Sequence, residues 1–171
     1  MFKRTLKTPS LAMSAVIAAL YAALTLLLAP ISYGPIQCRI SEAMTLLPVL
    51  LPESIPGLTL GCLIANLLGS ATPWDMVFGT FATLLAAVGT RAFRNQTVTR
   101  LKIPVLSALC PVLSNAVIVG AVLALTLKLP IVMTMLEVGA GELAAVILGV
   151  VLLRVLQNTN ALEKYESIKR R

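Results

Sequence analysis

The chain has 171 residues, 58% of them hydrophobic and 12% charged, with a mean hydropathy of +0.92. Soluble domains carry about 25% charged residues, so a water-soluble fold is excluded and the chain reads as an all-α membrane protein, one integral membrane domain over 1–171. The net charge of +7 does not indicate nucleic acid, because the basic residues end apolar runs instead of forming an aromatic-interleaved patch; histidine is absent, and Cys38, Cys62 and Cys110 are too widely spaced for a metal centre.

The first apolar run, 11–29, follows Lys3, Arg4 and Lys7. At 1.5 Å per residue it covers about 28 Å as a helix, close to the roughly 30 Å of bilayer hydrocarbon. A secretory signal also starts basic, but its apolar core is only ~7–15 residues long and a soluble segment follows it; none follows here, so the run is read as a span. Ala15, Ala19 and Ala23 recur every four residues along it, with Ala18 and Ala22 beside them. Small residues at this spacing let helices approach closely, either within the bundle or against another protein.

Residues 30–39 contain two prolines and a glycine and predict an ordered loop. Two short runs come next, 40–51 and 57–68, each about 18 Å long as a helix, separated by a turn in which Glu53 is expected to be solvated. Run 74–92 leads to a basic loop over 91–102; runs 103–129 and 131–156 and a polar cytoplasmic tail, 157–171, complete the chain. With six crossings and cytoplasmic N- and C-termini, twelve of the fourteen basic residues lie inside, all but Arg39 and Lys128, as the positive-inside rule demands. Counting the short pair as one broken span would move Arg91, Arg94, Arg100 and Lys102 outside. The predicted fold is therefore a bundle of six transmembrane helices, the second and third short. No internal repeat relates the halves, which gives an inverted-repeat transporter no support.

Polar residues within the runs are few. By helical rise, Arg39, Glu42, Asp75, Asn115, Glu137 and Glu142 fall in the outer half of the bilayer and Asn66 near its middle. An ionised side chain facing lipid at mid-bilayer costs about 2.5–3.5 kcal/mol. These groups are thus expected to face inward around a cavity open to the outside, a ligand site. Each also has a plainer reading. Asp75, after Thr72-Pro73-Trp74, fits a helix cap; Arg39 and Glu42 fit an ion pair; Asn66 and Asn115 fit interhelical hydrogen bonds; Tyr33 and Trp74 fit an interfacial aromatic belt. Glu137 and Glu142 stand about 140° apart round a helix, so both face one ligand only if Gly139 and Gly141 break it. With no phosphate loop and no HExxH or GxSxG motif, the chain is expected to hold no catalytic residue, no metal and no cofactor, and not to hydrolyse ATP.

The stretch Tyr33-Gly-Pro-Ile-Gln-Cys-Arg-Ile-Ser-Glu-Ala-Met-Thr-Leu-Leu-Pro48, with Gly57-Leu-Thr-Leu-Gly-Cys-Leu-Ile-Ala-Asn-Leu-Leu-Gly69 and Asp75-Met-Val-Phe-Gly-Thr80, resembles the QueT family. The resemblance runs over roughly 10–156, and its most specific block is Arg39-Ile-Ser-Glu-Ala43; Cys38 departs from the larger apolar residue expected there. It implies a substrate-binding (S) component of an energy-coupling factor transporter in a bacterial cell membrane. Such a component has six helices and an outward pocket gated by the loop after the first helix. Its implied partners are a transmembrane scaffold, EcfT, and two cytoplasmic ATPases that use ATP. Ala15, Ala19 and Ala23 match the scaffold-contacting face of the family.

The implied ligand is a queuosine precursor, a 7-deazaguanine base. Glu42 or Glu142 would accept its paired N–H groups, Gln37, Arg39, Asn66 and Asn115 would read its ring edge, and Tyr33 or Trp74 would stack on its face. The competing expectations are an S component for another vitamin, a small proton-coupled secondary transporter using Glu42, Glu137 or Glu142 as proton carrier, and an assembly factor that binds no small molecule.

Overall fold

The structure, a computed structural model, describes residues 8–33, 39–69, 72–96 and 105–170, and every regular element in them is helical. Helix α1 (Thr8–Leu27) is followed by the single turn α2 (Ala29–Ser32), a 3-10 helix (Ile40–Val49), α3 (Ser54–Leu68) and α4 (Pro73–Ala92). A continuous rod then runs through α5 (Val105–Ser114), a π turn (Asn115–Val119) and α6 (Gly120–Leu127). The long α7 (Ile131–Asn158) and the terminal α8 (Ala161–Arg170) complete the order. Among the described residues, three stretches are long and apolar enough to cross a membrane: Thr8–Leu27, Val105–Leu127 and Ile131–Asn158. Ile40–Val49 and Ser54–Leu68 are shorter apolar helices, and α4 has 20 residues but carries Asp75 and Arg91.

Two elements differ from the sequence expectation for local reasons. Pro56, expected to end a turn, lies in the first turn of α3, where the missing N–H has no intrahelical partner to lose. The tail after 156 is not merely polar: α8 docks there, contacting α1 and α7. Its Tyr165 is buried, and its Lys169 forms an ion pair with Glu53. Glu53 is therefore not the solvated turn residue expected, since its side chain is only 9% exposed. Burial pushes its carboxyl up, but the Lys169 ammonium outweighs this and holds it below the usual range, while Glu53 raises Lys169 in turn. The Ser10 hydroxyl donates to the same carboxylate, and Ser14 to the Glu53 carbonyl at 2.7 Å, tying this turn to the start of α1.

The 3-10 stretch is ten residues long, whereas such helices rarely exceed about 3–4. Its rise of about 2.0 Å per residue extends it to ~20 Å, against ~15 Å for an α-helix of the same length. Pro48 lies inside it, and its end needs donors from elsewhere. Arg91 supplies them: Nη1 donates to the carbonyls of Pro48 (3.0 Å) and Val49 (3.1 Å).

Close approaches by glycine fix the packing. A Cβ on Gly57 would lie 2.6 Å from the Ser14 carbonyl oxygen, and one on Gly61 2.8 Å from that of Ala18. The α1 and α3 backbones thus touch through small residues. This contact uses Ala18 and Ala22, both buried, and leaves Ala15, Ala19 and Ala23 exposed on the opposite side of α1.

Pro111 interrupts α5. It offers no N–H to the carbonyl four residues back, Ser107. The Thr90 hydroxyl of α4 donates to that carbonyl at 3.1 Å, and Ser107 returns a bond to the Thr90 carbonyl at 2.8 Å. Both residues are fully buried. Thr90→Val keeps the shape and orphans the Ser107 carbonyl; it is expected to lower stability by about 1–3 kcal/mol, read as a lowered unfolding midpoint in detergent. An unchanged midpoint contradicts this role for Thr90.

Candidate functional site

The first turn of the 3-10 helix, the π turn and the middle of α7 converge on one internal space lined by Arg39, Glu42, Asn115, Val119, Val138 and Glu142. The four polar residues are deeply buried: Arg39 at 6% exposure, Glu42 at 2%, Asn115 at 4% and Glu142 at 4%. The π turn matters here because its extra residue per turn changes the register of the rod, and such insertions recur at functional sites. Asn115 is its first residue and stands on the buried side of the rod.

Glu42 is held from one side. The Tyr21 hydroxyl of α1 donates to Oε1. The Thr83 hydroxyl of α4 lies 3.2 Å from the same oxygen and is shared with the Gly79 carbonyl at 3.1 Å. Thr25 and Ser41 add a hydroxyl pair at 2.6 Å beside them. This network orients the carboxylate and leaves Oε2 without a protein partner. Asn115 Nδ2 and Glu142 Oε1 are likewise buried without a partner at hydrogen-bond geometry, although the Asn115 amide lies near enough to interact with both carboxylates. Three unpaired polar atoms on the wall of one space are unusual, because buried polar groups are nearly always hydrogen-bonded.

Arg39 is positioned by its neighbours. Its Nε donates to the Ser32 carbonyl at 3.4 Å, its guanidinium lies 5.2 Å from the centre of the Tyr33 ring, and Nη1 is 3.9 Å from Cys62 Sγ. Among the described residues the only ion pair within 4.0 Å joins Lys169 and Glu53, so Arg39 and Glu42 line the space without direct contact.

The space itself is about 10 Å³. That is room for about one water molecule, against roughly 300–1,000 Å³ for a small-molecule pocket. As it stands the space is too small for a ligand larger than water.

Of the remaining residues expected at a site, Asn66 lies next to it. Its Nδ2 is 3.5 Å from Cys62 Sγ and donates to the Asp75 carbonyl at 3.3 Å, while Oδ1 is buried and unpartnered. Tyr33 faces Arg39 and donates to the Ala65 carbonyl at 2.7 Å. Asp75 completes a capping box: its Oδ2 accepts from the Thr72 N–H at 3.1 Å, and its own N–H donates to Thr72 Oγ1 at 3.2 Å. Trp74 is 63% exposed and stacks on Phe78 with ring centres 6.0 Å apart, away from the lining. Glu137 is half-buried on another side of the unbroken α7. Gln37 lies outside the described residues.

Sequence reasoning missed Tyr21, Thr83 and Cys62. All three lie inside apolar runs, where neither charge nor spacing singles them out. The signal available was a tyrosine at mid-helix, away from either interfacial belt, where a buried O–H needs a partner.

Residues 11–158 match the family model described as QueT transporter. A curated relative, the queuosine precursor transporter QueT of Lactococcus lactis subsp. cremoris (strain MG1363), is 41% identical over 81 residues, which make up 46% of this chain and 47% of the relative. The chain thus spans about half the length of the curated relative it matches. No solved structure matches.

Proposed function

The chain belongs to the QueT transporter family, and from that premise we propose that it is the substrate-binding subunit of an ATP-driven energy-coupling factor importer that captures a queuosine precursor, a 7-deazaguanine base, from outside the cell. The observation that carries this reading is the cluster of buried, unpartnered atoms Glu42 Oε2, Asn115 Nδ2 and Glu142 Oε1 around one space. A guanine-like edge presents adjacent N–H donors and a carbonyl acceptor, which is the complement of a carboxylate beside an amide.

In this reading the protein is one membrane domain crossing the bilayer six times, the 3-10 helix and α3 forming the short pair, with both termini in the cytoplasm. The Lys169–Glu53 contact then lies at the cytoplasmic surface, and Arg91 joins the basic residues near it, as charge asymmetry favours. ATP is used by two partner ATPases, and the chain acts as a transporter subunit, not as an enzyme. The exposed small face of Ala15, Ala19 and Ala23 is the surface for the transmembrane scaffold, because small side chains allow a second helix to pack closely in lipid.

Titration of the purified protein with 7-deazaguanine bases tests this directly. Saturable one-to-one binding is expected, with no uptake driven by a pH gradient when the protein is reconstituted alone. Pumping by the chain alone, or no binding of any such base, contradicts the proposal.

A further inference from the structure

We infer that α8 is a detachable clasp, helical only while docked and fastened by Lys169 on Glu53. Docked, it pins together the start of α1, the turn before α3 and the end of α7. The pinned end is remote from the buried space: Asn158 lies sixteen residues past Glu142, about 24 Å along α7. Relative movement of these helices is thereby confined to the end that carries the space. The clasp acts on the unliganded protein, whatever the space binds.

α8 has ten residues, and isolated helices shorter than about 12–15 residues are marginal in water. It is not a continuation of α7, because Thr159 is extended (φ −102°, ψ 148°) and breaks the rod. Its order therefore comes from docking. The docked face is narrow: Tyr165 is buried, while Leu162 and Lys169 are half-buried, and this spacing of three and four residues is one side of a helix. Glu163, Lys164, Glu166, Ser167 and Ile168 are exposed. A contact this small opens and closes as a local unit, at a cost well below that of unfolding the whole protein. α8 also lies beyond residues 11–158, the stretch that matches the family, so the matched bundle ends before it.

Glu53 decides what the helix fastens. It stands in the turn between the 3-10 helix and α3. Its Oε1 accepts from Lys169 of α8 and from the Ser10 hydroxyl of α1, and its carbonyl accepts from Ser14. One residue thus joins three parts of the chain. Met13 of α1, Ile55 of α3 and Leu152 and Leu156 of α7 pack on one core cluster and are only partly buried. The apolar seam between these helices therefore reaches the Glu53 end without being sealed there. A desolvated carboxylate deprived of its cation is strongly destabilising, so loss of the Lys169 charge favours undocking over a docked, unpaired Glu53.

Amide hydrogen exchange of the full chain in lipid nanodiscs, without ligand, tests this in the unaltered protein, Lys169→Glu and Lys169→Arg. In Lys169→Glu, residues 161–170 are expected to exchange more than about tenfold faster. Exchange is also expected to quicken at 12–18 in α1 and 150–158 in α7, and to stay unchanged at 131–140, the far end of α7. Lys169→Arg keeps the cation and is expected to stay within about threefold of the unaltered protein throughout. Unchanged exchange at 161–170 in Lys169→Glu overturns the inference. So does loosening of 161–170 alone, which makes α8 an appendage that pins nothing. Acceleration along the whole chain overturns it as well, because a clasp acts on its own end. If Lys169→Arg loosens the tail as much as Lys169→Glu, the ion pair is not the fastening.

Discussion

Glu42→Gln is expected to weaken binding of a 7-deazaguanine base by about two orders of magnitude, because breaking a buried charged hydrogen-bonding partner costs about 2–5 kcal/mol and each 1.4 kcal/mol is tenfold. The geometry makes the effect larger than a simple loss of charge. Tyr21 and Thr83 both point hydroxyl donors at Oε1, so the glutamine carbonyl is drawn to that side. Its NH₂ then replaces Oε2, the atom with no protein partner. Donors meet donors where the base presents its N–H pair. Arg39 is also left in the interior with one fewer compensating charge. Calorimetric titration of the variant beside the unaltered protein measures the loss; equal affinities contradict the role given to Glu42.

Ala19→Trp is expected to separate binding from transport. Ala19 is exposed in the middle of α1, between Ala15 and Ala23, on the side away from the α3 contact made by Ala18 and Ala22. Because Ala19 is exposed, a tryptophan there does not have to be fitted into the buried interior that holds the ligand site. Against a scaffold helix it holds the two backbones apart, and close backbone approach is what small-residue faces provide in lipid. Ligand affinity is expected to stay within about twofold, while ATP-driven uptake by cells carrying the whole transporter falls more than about tenfold, a loss of at least one 1.4 kcal/mol step. Undiminished uptake contradicts the assignment of this face.

The burial cost of charge is what made the site legible in the sequence. Glu42, Asn115 and Glu142 sit within apolar runs and Arg39 at the edge of one, where hydrocarbon offers little solvation, so an inward orientation is expected of them; the same argument places Asp75 and Glu137 at the site, and the structure puts neither on its lining. Asp75 was ambiguous for a different reason. Thr72-Pro73-Trp74-Asp75 is a local capping pattern as well as a polar group at a helix end, and only the hydrogen bonds, Thr72 to Asp75 and back, decide what Asp75 does. Trp74 carries a large apolar surface that suits lipid as well as a base, and its sequence position alone does not distinguish the two.

Other features depend on contacts distant in sequence. The 3-10 helix ends on carbonyls met by Arg91, some forty residues later, and α7 packs against it so tightly that a Cβ on Gly149 would lie 2.5 Å from the Ala43 carbonyl oxygen. No local periodicity encodes that. The Pro111 break is compensated by Thr90 from another helix, and Glu53 is desolvated by a tail helix whose docking the tail's polar composition did not suggest. Thr83 gives little local signal because its hydroxyl can bond the carbonyl four residues back, as it does with Gly79; the importance of Tyr21 and Thr83 lies in pointing at one carboxylate oxygen.

The closed space of about 10 Å³ gives the account its most exposed commitment. A structure of the protein with a bound 7-deazaguanine base is predicted to show the base between Glu42, Asn115 and Glu142, with the π turn and α7 moved apart and the space enlarged to several hundred Å³, the size of a small-molecule pocket. A base seated elsewhere, against Trp74 and Phe78 for example, with this space still closed and its three polar atoms still unpaired, would contradict it.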